Sequence, residues 1–366
     1  MLETELDSFD NERKNKTFPQ VYDLPPFYSS MVERNFQVRT AILYTALILT
    51  ASSVNSQTDK DRKPDEPIRL KAELVTLDVQ IIDKKTQRVI SGLSQGDFEI
   101  YEEGVKQQIV QFSQDKLPLS VALLLDASGS MWTVLERLRS SALAALQTLK
   151  PEDEVALIVT ADDTRLVQDF TKEKFIIAET LKTLDLKAFG DNGILLHDSL
   201  YRAASHLLRA ANPADRRVII AVTDNITIPA YNWRFVQKEQ SVQLLLETGA
   251  VVCGLVIDHN SPARVASKIL GLPQRRSGGD VHNYAELTGG EVLSASNDTV
   301  GNRLIELINH IRTRYSLAFV PSNTKRDGKF RNLKVRLTAE SEQRIRKSGP
   351  VDYAIRTRSG YYAGKK

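Results

Sequence analysis

The sequence predicts a doubly wound, mainly parallel α/β sheet of Rossmann-like type, flanked by a small β-sandwich-like unit. Two observations carry this. Continuous apolar runs alternate with helical periods through the middle of the chain, and shorter segments of period-two alternation lie on either side. With 366 residues, 42% of them hydrophobic, the chain can bury more than one core.

Between residues 118 and 320 the apolar runs are Ser120–Leu125, Val155–Thr160, Val218–Val222 and Val251–Ile257. Each suits a strand covered on both faces. Helical periods fall between and after them, over Val134–Leu149, Lys174–Leu184, Leu195–Ala211, Phe235–Leu246 and Arg303–Ile311. Glu136, Arg137 and Arg139 read as surface charges of the first helix. Trp132 and Trp233 lie near helix starts, as partner contacts or as packing residues.

Residues 68–117 and 321–366 are β-rich. Leu74, Leu77, Val79 and Ile81 alternate with one slip of register, and Asp97–Tyr101 followed by Gln108–Phe112 predicts a hairpin around Glu102-Glu103-Gly104. On the far side, strands are expected at Tyr315–Pro321, Asn332–Leu337 and Tyr353–Arg358, with Gly360-Tyr361-Tyr362 packing as an aromatic edge. Neither segment makes a comfortable core alone, so the two are expected to complete one sandwich around the central domain.

The N-terminal region reads as an export signal. The apolar run 40–51 follows Arg34 and Arg39 and precedes the small residues Ser52-Ser53. At about 12 to 15 residues it falls short of the roughly 20 that span a bilayer. Residues 38–56 are therefore expected to be a signal peptide, cleaved near Ser56, with a retained anchor as the alternative; 57–67 is a polar linker. Residues 1–37 are expected to be a disordered extension or start-site artefact; Met31 would start a chain of ordinary signal-peptide layout, leaving 1–30 as the artefact. The expected location is secreted, periplasmic or at the surface of a bacterial cell.

Composition excludes several classes. A formal net charge of +3 does not suggest a nucleic-acid binder. The local excess in residues 324–366, 13 Lys or Arg against 4 Asp or Glu, reads mainly as a solvated face of the β unit. Cys253 is the only cysteine, so no intramolecular disulfide or cysteine zinc site can form, and its apolar run marks it as a buried strand residue. No Gly-x-Ser-x-Gly elbow and no phosphate-cradling loop with lysine occurs. His197, His206, His259, His282 and His310 are scattered. Asp280-x-His282, beside Ser277-Gly278-Gly279, offers a second metal site or a solvated loop. Neither enzymatic nor nucleotide chemistry is expected.

The candidate site lies where ligands bind such sheets, at the carboxyl ends of strands. After the first strand comes Asp126-Ala127-Ser128-Gly129-Ser130, whose alternate oxygen side chains can converge on a hard cation. Asp224 ends another central strand and can face that loop across the crevice.

These residues resemble the von Willebrand factor type A domain with its metal-ion-dependent adhesion site. The family's Asp-x-Ser-x-Ser loop is matched by Asp126, Ser128 and Ser130, and its later carboxylate by Asp224. The segment from Gly92 to Gly104, Leu287-Thr288-Gly289-Gly290 and Arg358-Ser359-Gly360-Tyr361-Tyr362 are similar to an acidobacterial-type group of exported proteins. The resemblance implies a non-enzymatic adhesion protein holding Mg²⁺ or Mn²⁺ through these four residues and capturing a carboxylate of a protein partner. Two positions depart from the family: Ile194 stands where a threonine ligand belongs, and Asn225 replaces the glycine after the second carboxylate. Asp191, Asn192 or water would then supply the missing oxygen. The alternative is a metal-independent assembly domain of the bacterial envelope.

Overall fold

The computed structural model describes residues 74–114, 117–190, 194–212, 216–226, 236–258, 280–347 and 352–364. The predicted signal segment, Asp191, Trp233 and His259 lie outside them. Among the described residues no helix is long and apolar enough to cross a membrane.

The fold is α/β with a mainly parallel central sheet. Its strands are β5 (Leu119–Asp126), β6 (Glu154–Thr160), β7 (Thr164–Thr171), β8 (Arg216–Thr223), β9 (Val251–Ile257) and β10 (Val292–Ala295), in the order β10-β9-β8-β5-β6-β7. All pairings are parallel except that of β7. Every residue of β5, β6 and β9 is buried, which explains why their sequences lack alternation.

Successive residues of β5 serve opposite faces. Val121, Leu123 and Leu125 pack with helices α1 (Trp132–Leu146), α2 (Lys174–Thr183) and α6 (Val300–Arg312). Ala122 and Leu124 pack with α3 (Leu196–Leu207), α4 (Lys238–Thr248) and α5 (Val281–Thr288). The chain leaves β5 for β6 on one side, then returns to place β8 on the other. Connections therefore diverge between β5 and β8, and a crevice opens where their carboxyl ends part.

The flanking segments form two four-stranded antiparallel sheets. One contains β1 (Val75–Asp83), β4 (Ile109–Gln114), β11 (Tyr315–Phe319) and β13 (Tyr353–Arg356), in the order β13-β1-β11-β4. The other contains β2 (Phe98–Glu102), β3 (Val105–Gln107), β12 (Phe330–Leu337) and β14 (Gly360–Tyr362), in the order β14-β12-β2-β3. Their inner faces share one core that includes Leu77, Val79, Ile100, Leu317, Phe319 and Val335. In the edge strand β14, Tyr362 meets Phe330 edge-on, with ring centroids 5.3 Å apart, as expected of an aromatic edge.

Three details correct the sequence reading. The inward residues of β1 are Val75, Leu77, Val79 and Ile81, in strict alternation, and Leu74 is exposed. The predicted hairpin exists, but its return strand is β3, reached through Glu103 (φ 47°) and Gly104 (φ 82°); Ile109–Gln114 crosses to the other sheet and pairs with β11. The edge strand β7, the short β10 and α5, and α7 (Ala339–Lys347) were not predicted. Only Ser341 and Ile345 of α7 are buried, too little for an apolar stripe.

Asp97 ties α7 to the sandwich. Its carboxylate accepts bonds from Ser94 N (2.6 Å), Ser94 Oγ (2.9 Å), Ser341 Oγ (2.5 Å) and Arg344 Nη2 (2.6 Å). Burial favours the neutral acid, yet the summed donors outweigh it and hold the group well below the ordinary carboxylate range. Such a group stabilises the fold fully above its unfolded pKa of about 3.9, and that contribution is lost as pH falls from there through the folded value. The unfolding midpoint in urea should therefore drop below about pH 4. In Asp97→Asn the midpoint should be lower at pH 7 and its acid dependence shallower.

Candidate metal-binding crevice

The first loop leaves β5 at Asp126, whose carboxylate is 1% exposed. Its Oδ1 accepts the Ser128 amide at 3.0 Å, bending the chain back over the strand end. Its Oδ2 accepts the Thr223 hydroxyl at 2.6 Å, bridging β5 to β8 across the crevice. The loop is further fixed by Ala127 N donating to Thr160 O (2.7 Å) and by Trp132 Nε1 donating to Ala127 O (3.0 Å). Trp132 thus serves the loop's packing, with Lys187 Nζ 5.5 Å from its ring centre.

Ser128, Ser130 and Asp224 converge beside this carboxylate. Ser128 Oγ lies 3.3 Å from Ser130 Oγ, and Ser130 Oγ donates to Asp224 Oδ2 at 2.7 Å. Asp224 Oδ1 accepts the Ile226 amide at 2.9 Å, which sets that carboxylate's direction. Asp126, Ser128 and Asp224 are buried and Ser130 is exposed, so the group opens to solvent at Ser130. Burial pushes the Asp126 carboxyl up to about 6; the charge of Asp224 adds to that effect, and the bonds from Ser128 and Thr223 oppose it.

The donor set fits a hard cation. Neighbouring oxygens around an octahedral Mg²⁺ with bonds of about 2.1 Å lie about 3 Å apart, and the observed separations of 2.7 and 3.3 Å bracket that value. Among the described residues no group of three or more His, Cys, Asp or Glu side chains could hold a metal, so hydroxyls are needed to complete any site here.

The remaining predicted residues are placed differently. Ile194 is 1% exposed and packs with Leu124, Ile158, Leu196 and Leu200, where its side chain fills the core on the α3 face. Asp280 caps α5, accepting His282 N (2.9 Å) and His282 Nδ1 (2.7 Å). His206 stacks on Phe170 and bonds Asp169, and His197 bonds Tyr284; both are packing residues. Cys253 is buried in β9.

Thr223 escaped the sequence reading, and Asn225 was read there only as a departure from the family's glycine. Thr223 holds Asp126 directly, and its only signal was a hydroxyl one place before the strand-ending carboxylate. Asn225 adopts φ 60°, a left-handed conformation that asparagine tolerates and other non-glycine residues resist. Its side chain donates to Asp280 Oδ1 (2.9 Å) and accepts from Val281 N (3.0 Å), tethering the loop after β8 to the start of α5.

Residues 121–226 match the sequence profile of the von Willebrand factor type A domain. The chain carries a von Willebrand factor type A domain. Domains of this type generally mediate protein–protein interaction. Solved structures similar to this chain include the conserved hypothetical protein BatB from Bacteroides thetaiotaomicron (16% identity, TM-score 0.39, covering 53% of this chain and 98% of that one). The von Willebrand factor type A protein from Catenulispora acidiphila aligns at 11% identity and TM-score 0.38, over 68% of this chain and 72% of its own. The vWF domain of the type V pili tip protein Mfa5 from Porphyromonas gingivalis aligns at 11% identity and TM-score 0.38, over 53% and 95%. No curated protein matches the sequence.

Within the type A domain, Asn225 supplies what glycine would, a left-handed turn, together with a cross-link that glycine cannot make. Asn225→Ala should lose about 1–3 kcal/mol of unfolding free energy through the turn conformation and the two bonds. Asn225→Gly should lose less, because it keeps the turn. Urea denaturation of the two variants checks that order.

Proposed function

We propose that this chain is an exported, non-enzymatic binding protein that recognises a protein partner through the crevice at Asp126, with Mg²⁺ held by Asp126, Ser128, Ser130 and Asp224. The observation that carries the reading is the convergence of Ser128 Oγ, Ser130 Oγ and Asp224 Oδ2 within 3.3 Å steps beside a buried carboxylate. When bound, the ion supplies an electrophilic coordination position suited to a partner's carboxylate.

The chain's own residues set the conditions. Thr223 and the Ser128 amide hold the Asp126 carboxylate in place, so little rearrangement is needed on its side. Ser130 must release its proton-donating bond to Asp224 and turn its lone pairs toward the ion. Ile194 contributes no oxygen, which leaves that position to water or to Asp191 and favours a weak site. A location at the bacterial envelope or beyond rests on the apolar run 40–51 and its basic and small-residue flanks. The relatives include a pilus tip protein, which accords with that location. Against catalysis, Ser130 bonds to Ser128 and to Asp224, and no described imidazole bonds to either hydroxyl.

One observation favours a second reading, a metal-independent assembly domain. The Ser130–Asp224 bond and the two donors on Asp126 satisfy the crevice internally. Melting in Mg²⁺ and in EDTA separates the two. At a hundredfold excess over Kd, Mg²⁺ should add about 2.7 kcal/mol of stability. The melting temperature should then rise by several degrees, and Asp126→Ala should abolish the rise. Identical melting of the parent protein in Mg²⁺ and EDTA would remove the metal from the proposal, and partner capture that persists in EDTA would support assembly without it.

A further inference from the structure

The amino ends of the central strands, at the opposite end of the sheet from Asp126, meet the sandwich along a polar seam. Arg216, the first residue of β8, lies 3.6 Å from Asp78 of β1, and Ser359 N donates to Leu287 O (2.9 Å). A side chain at Gly289 would strike the Thr357 backbone, and one at Gly290 would strike Val252 O of β9. Backbones therefore close on each other here with no side chain between them.

Within the seam four residues, two from each layer, form a closed ring. Glu291, 2% exposed just before β10, accepts from His310 Nδ1 of α6 (2.9 Å) and pairs with Arg356 Nη1 of β13 (2.6 Å). The main-chain carbonyl of His310 accepts from Gln80 Nε2 of β1 (3.1 Å), and Gln80 Oε1 accepts from Arg356 Nη1 (3.4 Å). Gln80 is fully buried, so the ring joins the type A domain to the sandwich away from water.

His310 is the member whose ordinary value lies nearest neutral pH. Its bond to Glu291 pushes the imidazole up from that value; burial opposes the rise, the charges of Glu291 and Glu306 add to it, and Arg356 works against it. Burial favours the neutral form of Glu291, yet His310 and Arg356 outweigh it and hold that carboxylate below its ordinary range. The imidazole thus meets Glu291 from the segment before β10, Arg356 from β13 and Glu306 from its own helix, while β1 presents the uncharged Gln80 to its carbonyl. Cys253 of β9 lies in the field of the same Glu291 and Arg356 and of Arg314, and burial raises its thiol, which stays neutral.

We propose that this ring is a pH-responsive fastening between the type A domain and the sandwich, tight while His310 carries its proton and slackened when the proton leaves. Loss of the proton turns a charge-assisted bond into a neutral one of roughly half the strength and leaves Arg356 as the cation on buried Glu291. Because the folded value of His310 is raised, its contribution is complete below the unfolded value of about 6.5 and is lost as pH rises through the folded value. The fastening therefore loosens on the alkaline side of neutrality. It stands at the far end of the sheet from Asp126 and does not depend on how that crevice is read.

Nuclear magnetic resonance of the full chain tests both parts. The His310 imidazole should titrate with a midpoint above about 6.5, below it in Glu291→Gln, and higher than the parent's in Arg356→Gln. The Ser359 amide, whose bond to Leu287 O crosses the seam, reports the fastening. Corrected for intrinsic exchange, its protection should fall roughly threefold as pH rises through the His310 midpoint, and should not fall in His310→Gln. Circular dichroism establishes that each variant is folded; should a variant fail to fold, the parent's titration and exchange carry the test. The proposal is overturned if the parent imidazole titrates at or below about 6.5, if Ser359 protection is unchanged across the midpoint, or if the loss persists in folded His310→Gln.

Discussion

All eight residues of Leu119–Asp126 are buried, and the rest of the molecule is arranged by that fact. A strand covered on both faces must be flanked by strands on both edges and by helices above and below. The chain meets this requirement by running first to β6 and later back to β8. The same winding forces the connections at the carboxyl end to part, leaving a gap between the tips of β5 and β8. Asp126 is the last residue of the buried strand, so its carboxylate enters that gap already desolvated. Thr223 and the Ser128 amide are the response to that cost, since a buried carboxylate without donors would be strongly destabilising.

The central strands were legible because burial on both faces demands continuous apolar sequence, and Val251–Ile257 was delimited to the residue. The longer helices that cover the sheet showed their stripe for the same reason, whereas the eight-residue α5 was too short to do so. The elements that stayed hidden lack that signature. β7 lies at the sheet edge, where Arg165 and Asp169 interrupt the pattern, and α7 buries two residues on a charged helix. Asp126, Ser128, Ser130 and Asp224 were legible because spacing within a loop and position at a strand end are local properties. Thr223 and Asn225 were not, because their roles depend on partners 97 and 55 residues away along the chain.

The two ends of the central sheet solve different problems with similar residues. At the carboxyl end, carboxylates gather and hydroxyls satisfy them. At the amino end, arginines gather where the sandwich closes over the strands, and carbonyl groups and carboxylates meet part of their donor capacity, as where Arg216 Nη2 donates to Ile311 O, Arg358 Nη2 to Thr76 O and Arg356 pairs with Glu291. The short motifs around Gly289-Gly290 and Ser359-Gly360 belong to this second task. Gly289 and Gly290 let the backbones of β9 and the C-terminal segment approach without a side chain between them. The physical content of those motifs is therefore the joining of two layers, which their sequence positions alone did not disclose.

Asn225 and Ile194 show why departures from a family pattern need separate physical readings. Asn225 preserves the left-handed turn and adds two bonds to the α5 terminus, so the replacement changes how the loop is anchored while leaving its path available. Ile194 turns a position that could offer oxygen into part of the α3-face core, gaining apolar burial of roughly 1.5–3 kcal/mol. One departure ties the loop after β8 to the start of α5, and the other places an apolar side chain in the α3-face core. If the proposed ion is held there, a crevice with a firmer frame and fewer fixed oxygens would depend more on water and on the partner to complete the coordination.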